Sequence, residues 1–531
     1  MIKNKRMALA FTGFNTILNK GVTKNSKMVK QHLNLKGGRM KNTTPIPPGI
    51  VSPDKVETRL GTLNFFDGFP DDESVKILYD NLDFQRAVQA YLLALPAVSQ
   101  VGMQKALLQW GPPNSTLLIW ENRITPKTIF WMTQNVTPYS NVWIDLKEGP
   151  LVIEIPPRVL GMINDIWGHW VEDVGFTGPD KGEGGKYLLL PPGYKDEIPE
   201  GYIVLRPKTF GMFIFWRSFL DEKGDPKPGV DVIKQTTRIY PLSKTDSPAK
   251  PNFIDVTDKY FCLVPPADYP FWDYLDEVVQ AEPADSLDPL TLGFYRSIGI
   301  RKGKPFAPDE RMKEILKEAA AVGDATARAL TFRMREKEAY FYDNSAWRNL
   351  FVGNYAIIED GVLVLDAYTQ AYFIGGAGST PAEEQKMVGQ GSQYAVAFVD
   401  SEGKPIDGVK SYKLHLPPNI PVKNFWSVTV YDNQTRSQLQ TDQHWPALNS
   451  HDKGFLLNED GSADVYFGPE APAGKEKNWI QTIPGKGWNT AIRLYGPLEP
   501  WFDKTWRPGE IEPMKQVMSR ESDTALSALE A

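Results

Sequence analysis

The chain of 531 residues has one cysteine, Cys262, and five histidines, and each scarcity removes a class of chemistry. A single cysteine excludes an intramolecular disulfide and any multi-cysteine zinc site. Lying in KYFCLVPP, Cys262 reads as a small buried hydrophobe rather than a nucleophile. His32 falls in the N-terminal segment, His169 between Trp167 and Trp170, and His415 inside an alternating run. His444 and His451 form the one close pair, but they match no HExxH pattern and read as loop residues. No metal and no cofactor is expected. GxSxG is missing as well, which removes the nucleophile elbow of an α/β-hydrolase. The glycine-rich stretch from Gly175 to Tyr194 lacks GxxxxGK[ST], and strand-like residues follow where a phosphate loop needs a helix. It reads as a wide β-connection overhanging a pocket. Nor does any run approach the roughly 20 apolar residues of a transmembrane helix.

Acidic residues are absent from residues 1–53, which carry ten Lys or Arg. Of 59 basic and 65 acidic residues in all, the remainder therefore holds 49 and 65, a balance of −16. An acidic body opposes phosphate, so no nucleic-acid partner is expected. The basic segment reads as a flexible tail, its apolar stretch from Met7 to Phe11 being too short for a signal-peptide core.

Burial material, in contrast, is plentiful. Aromatics make up 12% of the chain, including 15 Trp, while 43 Gly and 43 Pro supply frequent breaks. A turn-rich, strand-rich globular protein follows, and the length favours two domains. Residues 54–70 read as linker. Pro70 to Ser74 opens a helix with acids at its positive end, expected to bend or break near Asp83 and to stop at Pro96. From Ser115 the pattern turns to strands: STLLIWEN, TIFWMT, SNVWIDL and PLVIEIPP. A helical stretch from Pro283 includes a helix beginning at Pro308-Asp309-Glu310, with a break expected at Gly323, and strands return from Tyr355.

The densest strand grammar lies between Asn424 and Pro497. Phe425, Ser427, Thr429 and Tyr431 share one face of an extended segment, opposite Trp426, Val428 and Val430. Asp460-Gly461 marks a hairpin turn, and the carboxylates of EDGSAD fit it without fitting an EF-hand. Ala491, Arg493 and Tyr495 share a face opposite Ile492 and Leu494, so Arg493 should lie on the less apolar side or be paired if covered. The fold class expected is mainly β with helical segments: two antiparallel β-sandwich or jelly-roll-like barrel domains joined by a helical region. Its divisions are a basic tail (1–53), linker and N-terminal helices (54–110), an N-terminal β domain (111–242), a helical connection (243–350), a C-terminal β domain (351–510) and a tail (511–531).

One polar-aromatic cluster stands apart. In QNVTPYSNVWIDL, Asn135, Thr137, Tyr139 and Ser140 crowd a turn entering a strand whose Val142, Ile144 and Leu146 face one way and Trp143 and Asp145 the other. Aromatic, amide and carboxylate groups together suit a sugar or another polar organic ligand.

TPYS followed by a WIDL strand, then GPDKGEGGKYLLLPPGY, NFWSVTVYD, EDGSADVYFG and IRLYGP, resembles a two-domain family. That family has domain of unknown function 1254 followed by domain of unknown function 1214, and the likeness runs from about residue 60 onward. The resemblance implies a bacterial or viral protein, often exported, with β-barrel domains that form homo-oligomers. Periplasmic or secreted localisation is expected from it, with cytoplasmic as the alternative, since the basic tail departs from the family's cleavable signal. The family's polar motif positions correspond to Asn135, Thr137, Tyr139, Asp180, Arg217, Trp426, Tyr431, Asp460, Trp479, Arg493 and Tyr495, and Trp143 joins them as a ligand-stacking candidate. Two functions follow. One is an envelope- or surface-associated protein binding a polysaccharide or other polar organic ligand. The other is a lyase- or hydrolase-type enzyme on a polar polymer or small substrate, in which Tyr139 moves a proton and Arg217 or Arg493 neutralises a carboxylate.

Overall fold

A computed structural model describes residues 44–376 and 378–515, so most of the basic tail lies outside the described residues. The chain divides into a small unit ending at Ile77 and a large one from Leu78 onward.

In the small unit, residues 55–70 are not linker. They form a three-stranded sheet of Lys55–Thr58, Gly61–Phe66 and Phe69–Pro70. Asp67 and Gly68 supply the two positive φ angles, 48° and 85°, that a tight hairpin turn requires. The Ser74 hydroxyl accepts the Asn64 N–H at 2.8 Å, tying sheet to helix start.

That helix, Asp72–Leu108, runs on through Asp83 and Pro96. Pro96 removes one backbone hydrogen bond, but every residue from Ala94 to Met103 is buried, and packing on all sides holds the helix together. Asp83 is held by Arg311 Nη2 at 2.8 Å. The Glu310–Phe332 helix likewise continues through Gly323, where a Cβ would meet the Tyr91 ring at 2.5 Å. Glycine permits close helix contact there rather than a break. Asp309 caps this helix by accepting the Met312 N–H at 2.8 Å.

The large unit is mainly β with helices, built from several open sheets, none of which closes into a barrel among the described residues. A six-stranded sheet has the order Asn252–Asp255, Thr116–Ile119, Tyr139–Asp145, Gly211–Arg217, Leu160–Asp165 and Trp170–Gly175. A four-stranded sheet, Ile203–Leu205, Gly185–Leu189, Leu151–Ile155 and Arg238–Pro241, shares one apolar core with it. Later in the chain, Ser392–Ala397, Trp488–Pro497, Val422–Asp432 and Ala447–Asn449 form a second four-stranded sheet. Its core partner is the sheet Trp479–Gln481, Ala463–Gly468, Tyr412–Leu416 and Ile511–Pro513.

Among the described residues pairing is antiparallel except at four places, where Gly185–Leu189, Thr116–Ile119, Thr128–Ile129 and Ala463–Gly468 each gain a parallel neighbour. The neighbours Ile203–Leu205 and Asn252–Asp255 are outermost strands, reached by connections long enough to reverse direction. Cys262 is exposed, because in its two-residue strand Phe261 takes the core side. Residues 365–375 form a helix where strands were expected. Its run from Ala367 to Ile374 is almost wholly buried and shows no polar face to mark the helical period. Among the described residues, no helix is long and apolar enough to cross a membrane.

Strands buried on both faces position the candidate site. Val142, Ile144 and Leu146 point into the core shared with the facing sheet, whereas Trp143 and Tyr139 join the cluster that packs the helices. In the later sheet Trp426, Val428, Val430, Ile492 and Leu494 fill its own core, and Tyr431, Ala491 and Tyr394 turn toward that same helix-packed cluster. The alternation read from the sequence is the alternation that points polar groups of both sheets into one space.

Candidate functional site

Strand register brings the first two residues together. Arg217 is the cross-strand partner of Tyr139, so both side chains stand on one face at one end of the six-stranded sheet. Phe215, two residues earlier, packs edge-on against Tyr139 with ring centroids 4.8 Å apart. In the later sheet Arg493 pairs with Tyr394, and its guanidinium lies 4.8 Å from that ring's centroid. Tyr495 pairs with Ser392 and stacks on Phe425 at 4.2 Å. The Arg217 guanidinium lies 5.1 Å from the Tyr495 ring. Tyr139, Arg217, Arg493, Tyr394 and Glu383 thus line one pocket of about 90 Å³, walled otherwise by Thr133, apolar side chains, Gly375 and Gly378.

Hydrogen bonds order these groups in two chains. Arg217 Nη2 donates to Ser392 Oγ at 3.5 Å, Ser392 and Tyr394 share a 2.6 Å bond, and Tyr394 donates to Glu383 Oε1 at 3.0 Å. On the other side Arg493 donates to the Tyr431 hydroxyl from Nε at 3.1 Å and Nη2 at 3.0 Å, and Nη2 also reaches the Met132 carbonyl. Tyr431 passes its own proton to the Thr133 carbonyl at 2.9 Å. The Tyr139 oxygen accepts the Gln134 N–H at 3.2 Å. Gln134 in turn braces the turn before Tyr139 through Val136 N and the Thr137 hydroxyl.

The charges are unbalanced locally. Arg217 and Arg493 are 4% and 5% exposed, yet neither forms an ion pair among the described residues. Burial works against the charge of each, yet both guanidiniums are held above their usual pKa, Arg217 with Glu383 among the causes. Both stay cationic. Burial pushes the Glu383 carboxyl up against the opposing pull of Arg217, the Tyr394 hydrogen bond and Arg493. Tyr139 and Tyr394 are raised by burial, and Tyr431 is pushed up to about 12 by burial despite Arg493. The tyrosines are therefore neutral hydroxyl donors at neutral pH.

A larger groove of about 1170 Å³ is lined by Thr137, Phe176, Phe219, Phe425 and Tyr495, among others. Its charged side chains, Arg158, Lys181, Asp221, Glu222 and Lys423, are solvent-exposed and keep their hydration. The smaller pocket holds the buried, electrostatically strained groups, and those are the ones that gain from a ligand.

Several sequence candidates lie elsewhere. Trp143 is buried in the helix-packed core and Trp426 in the later sheet pair. Asp180 accepts the Gly175 N–H at 2.8 Å and the Tyr187 hydroxyl at 2.6 Å, fastening the glycine-rich loop. Trp479 Nε1 donates to the Gly468 carbonyl at 2.9 Å, and Asp460 accepts from Ser462 within the hairpin turn. Thr137 and Tyr495 belong to the larger groove, and buried Asn135 has an unpartnered Nδ2. Glu383, Tyr394 and Ser392 were not among the candidates. Thr380-Pro381-Ala382-Glu383 carries the signal of a capped helix start, and Thr380 does cap the single turn Pro381–Glu384. The Glu383 side chain, which such a motif turns back to its own cap, is instead committed to Tyr394.

Among the described residues no group of histidine, cysteine and carboxylate side chains could hold a metal ion.

Comparison with known proteins finds two family models, both within the large unit. Residues 115–241 match the family described as protein of unknown function (DUF1254), and residues 391–499 the one described as protein of unknown function (DUF1214). No curated protein matches the chain. The crystal structure of the VPA0106 protein from Vibrio parahaemolyticus is similar at 18% identity and a TM-score of 0.52, over 82% of this chain and all of that one. It shares the fold. A putative uncharacterized protein from Burkholderia cenocepacia aligns at 12% identity and a TM-score of 0.37, over 82% of this chain and 95% of the other. The chain therefore carries a DUF1254 domain followed by a DUF1214 domain, in that order, both of unknown function.

Proposed function

We propose that the protein binds a small polar organic anion, its carboxylate seated between Arg217 and Arg493. One observation carries the reading: two buried guanidiniums, neither in an ion pair among the described residues, line the same pocket with a single carboxylate, Glu383. A buried cation lacking an anion is costly unless something supplies one, and planar guanidiniums match a carboxylate in geometry. The Tyr139 hydroxyl adds a third donor whose own proton has no acceptor in the protein among the described residues. A space of about 90 Å³ favours a small molecule over a polysaccharide chain. Isothermal titration with a panel of small carboxylates tests this: saturable binding that Arg217→Met removes supports the reading, and no binding by the intact protein refutes it.

Catalysis is a second reading, favoured by the convergence of Tyr139 with two arginines and an acid. Tyr139→Phe should then abolish product formation while lowering ligand affinity by roughly tenfold, the loss of one donor. The two pairs of facing sheets are read as sandwiches of jelly-roll type, a view supported by their shared cores. Envelope association and homo-oligomers rest on the family resemblance alone, and light scattering of the purified protein tests the latter.

A further inference from the structure

We infer that Glu383 sets the ligand class, selecting a small monocarboxylate that carries a neutral hydroxyl beside its carboxylate. This rests on the pocket reading above and adds to it the identity of the anion. Three charged side chains line the pocket: Arg217, Arg493 and Glu383. Two positive charges and one negative leave room for a single further negative charge. A monoanion balances the site, whereas a dianion places its second carboxylate against Glu383. Asp173 is close enough to interact with Glu383 electrostatically, but it does not line the pocket and takes a hydrogen bond from Trp170 Nε1 at 3.0 Å.

The acceptor count adds the hydroxyl. Glu383 Oε1 takes the Tyr394 proton, while Oε2 has no hydrogen-bond partner in the protein among the described residues. Arg217 Nη1, Arg493 Nη1 and the Tyr139 O–H likewise find no acceptor there. Free donors, the Arg217 Nε among them, are available to an anion, and one free carboxylate oxygen asks for a donor. A 2-hydroxy acid answers both demands within a small space.

Titration calorimetry at pH 8 with glycolate, propionate and malonate on the full chain and on Glu383→Gln tests the assignment. Glycolate should bind roughly tenfold or more tighter than propionate, the loss expected for an unmade hydrogen bond to a charged group. Malonate should bind weakly to the intact protein and gain roughly tenfold in Glu383→Gln, where the like charge is gone. Equal affinity for glycolate and propionate, or a preference for malonate in the intact protein, overturns the inference and leaves the anion pocket standing. A malonate affinity unchanged in Glu383→Gln overturns it too. Failure of all three anions to bind the intact protein removes the pocket reading and this inference with it. The intact-protein ranking decides the matter alone if the variant does not fold.

Discussion

Arg217 and Arg493 look alike in burial and differ in how the protein holds them, and that difference yields opposite stabilities on replacement by methionine. Arg217 makes one hydrogen bond, at 3.5 Å, and ring contacts with Tyr495 at 5.1 Å and Phe215 at 5.9 Å, and its Nε has no partner. Losing the bond and the two ring contacts costs about 1–3 kcal/mol. Removing a buried donor left unpaired returns about 1–3 kcal/mol. Arg217→Met should therefore unfold within about 1 kcal/mol of the parent, or be more stable, because apolar replacements of buried charges often are. Arg493 donates twice to Tyr431 and once to the Met132 carbonyl, so Arg493→Met gives up charge-assisted bonds and destabilises by about 3 kcal/mol or more. Urea unfolding followed by tryptophan fluorescence, compared at unchanged slope, reads both values. If Arg217→Met loses 3 kcal/mol or more, Arg217 is a structural residue and the ligand-waiting interpretation fails. Equal losses for the two variants refute the structural distinction as well.

Further outcomes follow from the same geometry. Burial holds the Asp173 carboxyl at about 6, above its unfolded value, so the folded state binds more protons between about pH 4 and 6. Stability present below that window is lost as pH rises through it. Asp173→Asn lacks that loss and should be about 1–3 kcal/mol more stable at pH 7, with matching pH profiles as the contrary result in urea midpoints taken from pH 4 to 7. Gly376 has φ 67° and a Cβ there would meet Trp131 at 2.3 Å, so Gly376→Ala should lower stability by about 1–3 kcal/mol and weaken anion binding, as read by thermal melting and calorimetry. Tyr431→Phe strips two hydrogen bonds from Arg493 and should weaken carboxylate binding by roughly tenfold, with an unchanged dissociation constant as the contrary result.

Much of the strand architecture was legible because a period of two is a local property. The opposite faces of Phe425–Tyr431 and Ala491–Tyr495 follow directly from alternation, which alone puts Arg493 on the less apolar face. Local rules failed where tertiary packing overrode them. Pro96 and Gly323 read as breaks, yet both sit in buried helix segments held by their neighbours. The Leu365–Gly375 helix is buried nearly all round and so has no polar face to show a period. Glu383 is illegible for a different reason: its motif describes a local cap, whereas its hydrogen bond comes from Tyr394 on a separate strand. Tyr139, Arg217 and Arg493 were named from the sequence, but their shared pocket depends on the packing of two sheets, which no single segment encodes.

A crystal structure of the protein soaked with glycolate tests the central claim most directly. The carboxylate should sit with oxygens within about 3.2 Å of Nη1 of both Arg217 and Arg493. Density for the ligand only in the larger groove beside Phe425, with the two guanidiniums unoccupied, would contradict it.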